Sequence, residues 1–171
     1  MTTSCAVALG ISLAACITDV RWRRIPNVLT FGSAAAAFVF HTVTGGFGGL
    51  FGAAAGWFFG ILLFILPFAL GGLGGGDVKL LGALGAWLGP GMTIWLVMYT
   101  GIAGGVAALG VALVRGYLAT ALRNIWLLLS HWRVSGVRPL TEVSLAGSAG
   151  PRLAYAIPIF IGTVATVWLR S

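Results

Sequence analysis

Apolar residues come in long blocks along this chain, not in the one-in-two rhythm of a half-buried strand or the single-face rhythm of a soluble helix. Six blocks stand out, at residues 3–18, 28–44, 48–70, 78–91, 93–114 and 153–169. Their lengths lie near the roughly 20 residues a helix needs to cross a bilayer. The glycine-rich stretch at 45–49 reads as a short external turn between the second and third blocks. Residues 115–152 depart from the pattern. There Tyr117, Leu118, Ala121, Leu122, Ile125, Trp126 and Leu129 recur at helical spacing, with Arg123 and Asn124 on the other side. That spacing predicts an amphipathic helix in the interface plane, a depth that suits indole rings. The Ser/Gly-rich segment at 135–150 then reads as a polar cytoplasmic loop. The expected fold is all-α. It is a polytopic membrane helix bundle with about six transmembrane helices plus one cytoplasmic interfacial helix, in a single domain over residues 1–171.

Composition agrees. Hydrophobic residues fill 59% of the 171 positions and charged residues 8%, against about 25% charged in soluble proteins. Such a chain needs lipid as its solvent. The placement of the charges says more than their net value of +7. With the N-terminus outside, Arg21, Arg23, Arg24, Lys79, Arg115, Arg123, Arg133, Arg138 and Arg152 all fall on the cytoplasmic side, and only Arg170 falls outside. This is the bias of the positive-inside rule. It makes membrane lipids the expected partner of the basic face and leaves no call for nucleic acid. Leu13-Ala14-Ala15-Cys16 resembles a signal-cleavage box, but its basic residues follow the apolar run instead of preceding it. The first block is therefore expected to be a retained helix. Cys5 and Cys16 form no CxxC pair and read as small apolar side chains.

Two glycine stripes, Gly48-Gly52-Gly56-Gly60 and Gly101-Gly105, predict close helix approach within the bundle. They explain cohesion, not activity.

The chemistry lies in the acids. Asp19, Asp77 and Glu142 are the only ones, and both aspartates fall at block ends on the same cytoplasmic face. A carboxylate there is costly unless paired or functional. Taken singly, Asp19 could pair with Arg21 or Arg23, and Asp77 could cap a helix or pair with Lys79. Their coincidence at one face favours a joint role. Gly74-Gly75-Gly76-Asp77 follows Pro67, Gly71 and Gly72, so the third helix is expected to unravel there. Bare glycine backbone would let an extended substrate dock by strand-like hydrogen bonds. Asp77 would then open the fourth helix, whose N-terminus favours an ionised carboxylate. Two carboxylates on one water make an aspartyl peptidase. One draws a proton from the water and the other donates to the scissile carbonyl, the pair sharing one proton.

Asp19 followed by Ile25-Pro26-Asn27, then Gly74-Gly75-Gly76-Asp77-Val78-Lys79-Leu80, resembles the type IV prepilin peptidases. In size the chain is most similar to the minimal members that serve Flp/Tad-type pili. The resemblance covers nearly the whole chain. It implies that Asp19 and Asp77 are the catalytic pair of an aspartic endopeptidase working without a cofactor. It also implies a pilin precursor as substrate, cut after a short basic leader at the cytoplasmic face of the inner membrane. Gly74 and Gly76 match the motif glycines, with Gly75 between them. Lys79 matches too, and reads equally well as a snorkelling anchor. Pro26 and Asn27 read as a helix start, with Asn27 as the cap. Larger members carry a cysteine-rich methylating domain with no counterpart in these 171 residues, so cleavage without N-methylation is expected. Where relatives often have Pro-Tyr near the C-terminus this chain has Ala154-Tyr155, onto which no role is carried. Pro158 reads as a kink. His41 and His131 have no partner at ligand spacing, and no metal site is expected.

Three other readings compete. A peptidase clearing signal peptides would share the glycine-aspartate element, but its larger relatives carry a Pro-Ala-Leu element missing here. A small proton- or cation-coupled transporter could use the two aspartates, although these sit at an edge and the halves show no repeat. A noncatalytic assembly subunit would need only the glycine stripes.

Overall fold

The computed structural model describes residues 2–69, 73–116, 118, 123, 126 and 154–170. They form four helices: α1 (Thr3–Trp22), α2 (Asn27–Ala69), α3 (Gly75–Val114) and α4 (Ala156–Arg170). The first three are long and apolar enough to cross a membrane; α4, at 15 residues, is shorter. Leu118, Arg123 and Trp126 are helical, and the remainder of the expected interfacial helix and loop lies outside the described residues.

Two of the four, α2 and α3, each comprise two helical arms joined across a non-helical glycine. At 43 and 40 residues, α2 and α3 would each run about 60 Å or more if straight, about twice the hydrocarbon core. Both break at a glycine. Gly46 has φ 59° and ψ −147°, and Gly89 has φ 74° and ψ 170°, conformations that side chains disfavour. Across Gly46 the chain doubles back, so that the Phe38 and Trp57 rings stand 6.4 Å apart; a straight helix would hold them about 28 Å apart. Across Gly89 the Thr93 hydroxyl reaches the Gly85 carbonyl at 3.5 Å, again out of reach in a straight helix. The second break comes earlier than the apolar pattern predicts. Pro90 forces the residue before it out of the helical region and is itself well placed to start the next arm. The six blocks thus correspond to α1, two arms of α2, two arms of α3, and α4.

The first arm of α3 is the centre of the bundle. Every residue from 80 to 88 is buried, the mark of a helix packed on all sides. Against it lies the second arm of α2. A Cβ on Gly56 would collide with the Gly85 carbonyl, and one on Gly60 with the carbonyl of Leu81. Half of the first glycine stripe thus does what its spacing predicts. Gly48 and Gly52 face open space, as do Gly101 and Gly105, and the tight contact in that region is made by Gly104 against Tyr155. The first arm of α2 packs on it too, where the Trp87 indole donates to the Ser33 carbonyl at 3.1 Å. α1 and α4 pack on each other and on α3.

α2 passes through Pro67 to Ala69, and Leu73 and Gly74 are not helical, so the helix has ended ahead of the glycine run as expected; residues 70–72 lie outside the described set. One local expectation is corrected. Pro158 is buried in the first turn of α4 without breaking it, because a first-turn residue has no intrahelical bond to lose.

Candidate active site

Asp77 stands at the third position of α3, at the head of the most buried arm. The local sequence explains its pose. Gly74 is extended, with φ −81° and ψ 146°, and precedes the first helical residue. The Asp77 N–H donates to the Gly74 carbonyl at 3.1 Å, and the Asp77 carboxylate accepts from the Gly74 N–H at 3.2 Å. This is half a capping box, with the carboxylate turned back over the helix end. Asp77 is only 8% exposed, so its charge is shielded from bulk water.

Asp19 is carried by the last turn of α1, which runs to Trp22, one turn beyond the expected end. The turn closes with Arg23 in the left-handed region at φ 54°, its N–H donating to the Asp19 carbonyl at 2.8 Å. Asp19 is half-buried. Its carboxylate accepts from the main-chain N–H of Ala156, the first residue of α4, at 3.4 Å. The Asp77 carboxyl lies within electrostatic reach of Asp19, so two acids 58 positions apart in the chain stand at the same end of the bundle.

The glycines differ in their surroundings. A Cβ on Gly74 would stand 3.1 Å from Oδ2 of Asp77, whereas Cβ atoms on Gly75 and Gly76 would make ordinary contacts with Phe68 and Ile25. Gly75 and Gly76 are already helical, so α3 opens two residues ahead of Asp77, where the helix was expected to begin; of the three glycines only Gly74 lies outside it. As first-turn residues they have N–H groups without an intrahelical acceptor. Lys79 is not turned to the acids. Its ammonium donates to the Asn27 side-chain oxygen at 3.2 Å and sits 5.2 Å from the centre of the Phe31 ring. The amide oxygen of Asn27, expected to cap its own helix, is taken by this contact.

Three neighbours had no site role assigned from the sequence. The Cys16 thiol, one turn before Asp19, lies within reach of that carboxylate's charge. Tyr155 lies within reach of the charge of Asp77, with its ring edge-on to Phe64 at 6.3 Å. Ala156 contributes only its backbone. No side-chain signal could have found it, because the contact depends on how α4 packs.

Three helices long and apolar enough to cross a membrane, with two aspartates in electrostatic reach at one end of the bundle, define the class as a membrane helix bundle with paired acids. A family model described as the type IV leader peptidase family matches residues 6–109, a span that includes both aspartates and the 74–79 motif. The chain belongs to the type IV leader peptidase family. No curated protein and no solved structure matches it. Membership makes it a peptidase-type membrane protein.

Proposed function

We propose that the protein is an intramembrane aspartic endopeptidase that removes a short basic leader from pilin precursors of the Flp type, with Asp19 and Asp77 as its catalytic pair. The observation that carries the reading is that Asp77 lies within electrostatic reach of Asp19, at the end of the bundle that also bears Arg21, Arg23, Arg24 and Lys79. In this reading the two arms of α2 and of α3, together with α1 and α4, make six crossings. The N-terminus is outside, and the acids lie at the cytoplasmic face of the inner membrane.

The reaction needs one water between the acids. The ionised carboxylate takes a proton from that water as its oxygen attacks the scissile carbonyl carbon. The protonated partner gives its proton to the carbonyl oxygen, which yields a tetrahedral diol. Collapse of the diol returns a proton to one carboxylate, breaks the C–N bond and protonates the leaving amine. The roles belong to the pair and not to either residue. The bare first-turn N–H groups of Gly75 and Gly76 offer donors to a substrate carbonyl, in place of the strand-like docking read from the sequence. These groups supply hydrolysis, and methyl transfer to the new terminus is no part of the reading.

Co-expression with a pilin precursor, followed by intact-mass analysis of the precursor, tests it. Wild type should remove the leader, while Asp19→Asn and Asp77→Asn, which keep shape but cannot share the proton, should each lower processing at least a hundredfold. Wild-type processing by either variant would refute the pair.

A further inference from the structure

The family match ends at residue 109, yet the Asp19 carboxylate is held from beyond it. Among its described contacts is the N–H of Ala156, the first residue of α4, which lies 137 positions further along the chain at 3.4 Å. We propose that the head of α4 is a positioning element of the active site, its free first-turn N–H fixing the Asp19 carboxylate against Asp77. The proposal rests on the peptidase reading given above.

Several observations converge on this turn. Ala156 is buried, so its N–H has little access to competing water. It is a first-turn donor with no carbonyl of its own helix to serve, and it lies where the helix dipole favours an anion. The neighbouring N–H groups are already used: Ile157 donates to the Ala154 carbonyl at 3.1 Å and Ile159 to the Tyr155 carbonyl at 3.2 Å. The same turn sets Tyr155 within reach of the Asp77 charge, so one turn addresses both acids.

The turn is also held in place from within the bundle. Pro158 and Ile159 are buried immediately after it. Gly162 packs so closely on Thr100 that a Cβ there would collide with its main chain. The Tyr155 hydroxyl is seated on Gly104, where no side chain stands in the way. At the far end Arg170 lies 3.5 Å over the centre of the Trp95 ring. α4 is thus anchored along its length, and its head meets Asp19 as a fixed donor. A charge-assisted bond from a fixed backbone group fixes a carboxylate better than a mobile side chain could.

Chemistry at two labels tests this. Asp19 and Asp77 are the only aspartates in the chain, so protein grown with carboxyl-13C aspartate gives two resonances, assigned with Asp19→Asn and Asp77→Asn. Ala156→Pro deletes the N–H at a position where proline suits a helix start; Ala154→Pro places the same ring in the same turn and leaves the N–H intact. In detergent, Ala156→Pro should move the Asp19 resonance by more than its linewidth, and Ala154→Pro should not. With a pilin precursor as probe, Ala156→Pro should lower kcat at least tenfold with KM within about twofold, and Ala154→Pro should cleave like wild type. If Ala156→Pro does not fold, an amide-to-ester exchange at the Tyr155–Ala156 bond removes the same hydrogen without the ring and carries the same expectations. An unmoved Asp19 resonance in either folded variant overturns the proposal, as does equal damage by Ala154→Pro. Failure of wild type to cleave any precursor would sink the peptidase reading instead, and the resonances would still decide the contact.

Discussion

The Asp77 carboxylate and Gly74 are locked together. The Gly74 N–H donates to Oδ2 at 3.2 Å, and a Cβ on Gly74 would stand 3.1 Å from that same oxygen. The backbone of Gly74, at φ −81° and ψ 146°, suits any residue, so glycine is required there by space and not by conformation. Gly74→Ala should push the carboxylate by a few tenths of an ångström. We expect kcat on a pilin precursor to fall about ten- to a hundredfold, with thermal unfolding in detergent shifted by less than about 1 kcal/mol. Gly75→Ala, which keeps its N–H and meets only Phe68 at ordinary contact distance, should leave kcat within about threefold of wild type. Steady-state kinetics of the two variants side by side separates the effects; a kcat for Gly74→Ala equal to wild type would contradict the crowding argument.

How much of this was legible in the sequence follows from the physics of each part. The helices were legible because lipid demands long apolar blocks, and the two acids stood out because both fell at one face of an acid-poor chain, although each alone had a bland reading. The turn at 45–49 was legible from its glycines, but the break at Gly89 and the residue that makes each turn were not. Gly46 and Gly89 are two of 27 glycines, and apolarity does not reveal which of them takes a positive φ. Pro90 carried the one usable clue, since the residue before a proline avoids the helical region. Gly101 and Gly105 have the spacing of a packing stripe but face open space, while their neighbour Gly104 makes the contact; helix rotation decides this, and spacing alone does not fix rotation. The Asp19–Ala156 contact was hidden for a different reason. A backbone donor leaves no trace in residue identity.

Lys79 is tied to α2 and not to the acids, through Asn27 at 3.2 Å and the Phe31 ring at 5.2 Å. Lys79→Met should therefore retain kcat within about threefold and lose about 1 kcal/mol of stability or less, as expected for a half-exposed contact. A double-mutant cycle with Asn27→Ala should recover most of that loss as coupling between the two. Abolished cleavage in a Lys79→Met protein of unchanged stability would move Lys79 into the catalytic machinery.

Gly85 and Gly52 make opposite predictions from the same substitution. Gly85 lies in near backbone contact with Gly56 at the centre of the bundle, whereas a Cβ on Gly52 meets nothing within 4 Å. Gly85→Leu should destabilise by about 3 kcal/mol or more, since neither backbone can retreat. Gly52→Leu should be neutral or mildly stabilising, as glycine gives way to a better helix former on an open face. Unfolding in mixed micelles, read by tryptophan fluorescence, compares them directly. Equal tolerance at both sites would mean that the second arm of α2 does not pack on the first arm of α3.

The break at Gly89 sets where the central arm ends and therefore how deep Asp77, 12 residues before it, stands in the bundle. Its φ of 74° with ψ of 170° falls in a region that is essentially open to glycine alone, and forcing another residue into it costs about 1–3 kcal/mol. A Cβ at Gly89 would meet nothing within 4 Å, so crowding contributes nothing and the whole effect of Gly89→Ala is conformational. The variant should lose about 1–3 kcal/mol in detergent unfolding, and Gly89→Val somewhat more because of its branched side chain. Gly91→Ala makes the control, being equally open in space but without a positive φ; it should be neutral within about 0.5 kcal/mol. If both alanine variants behaved alike, the turn would owe its shape to Pro90 alone, and the central arm would not depend on glycine for its end.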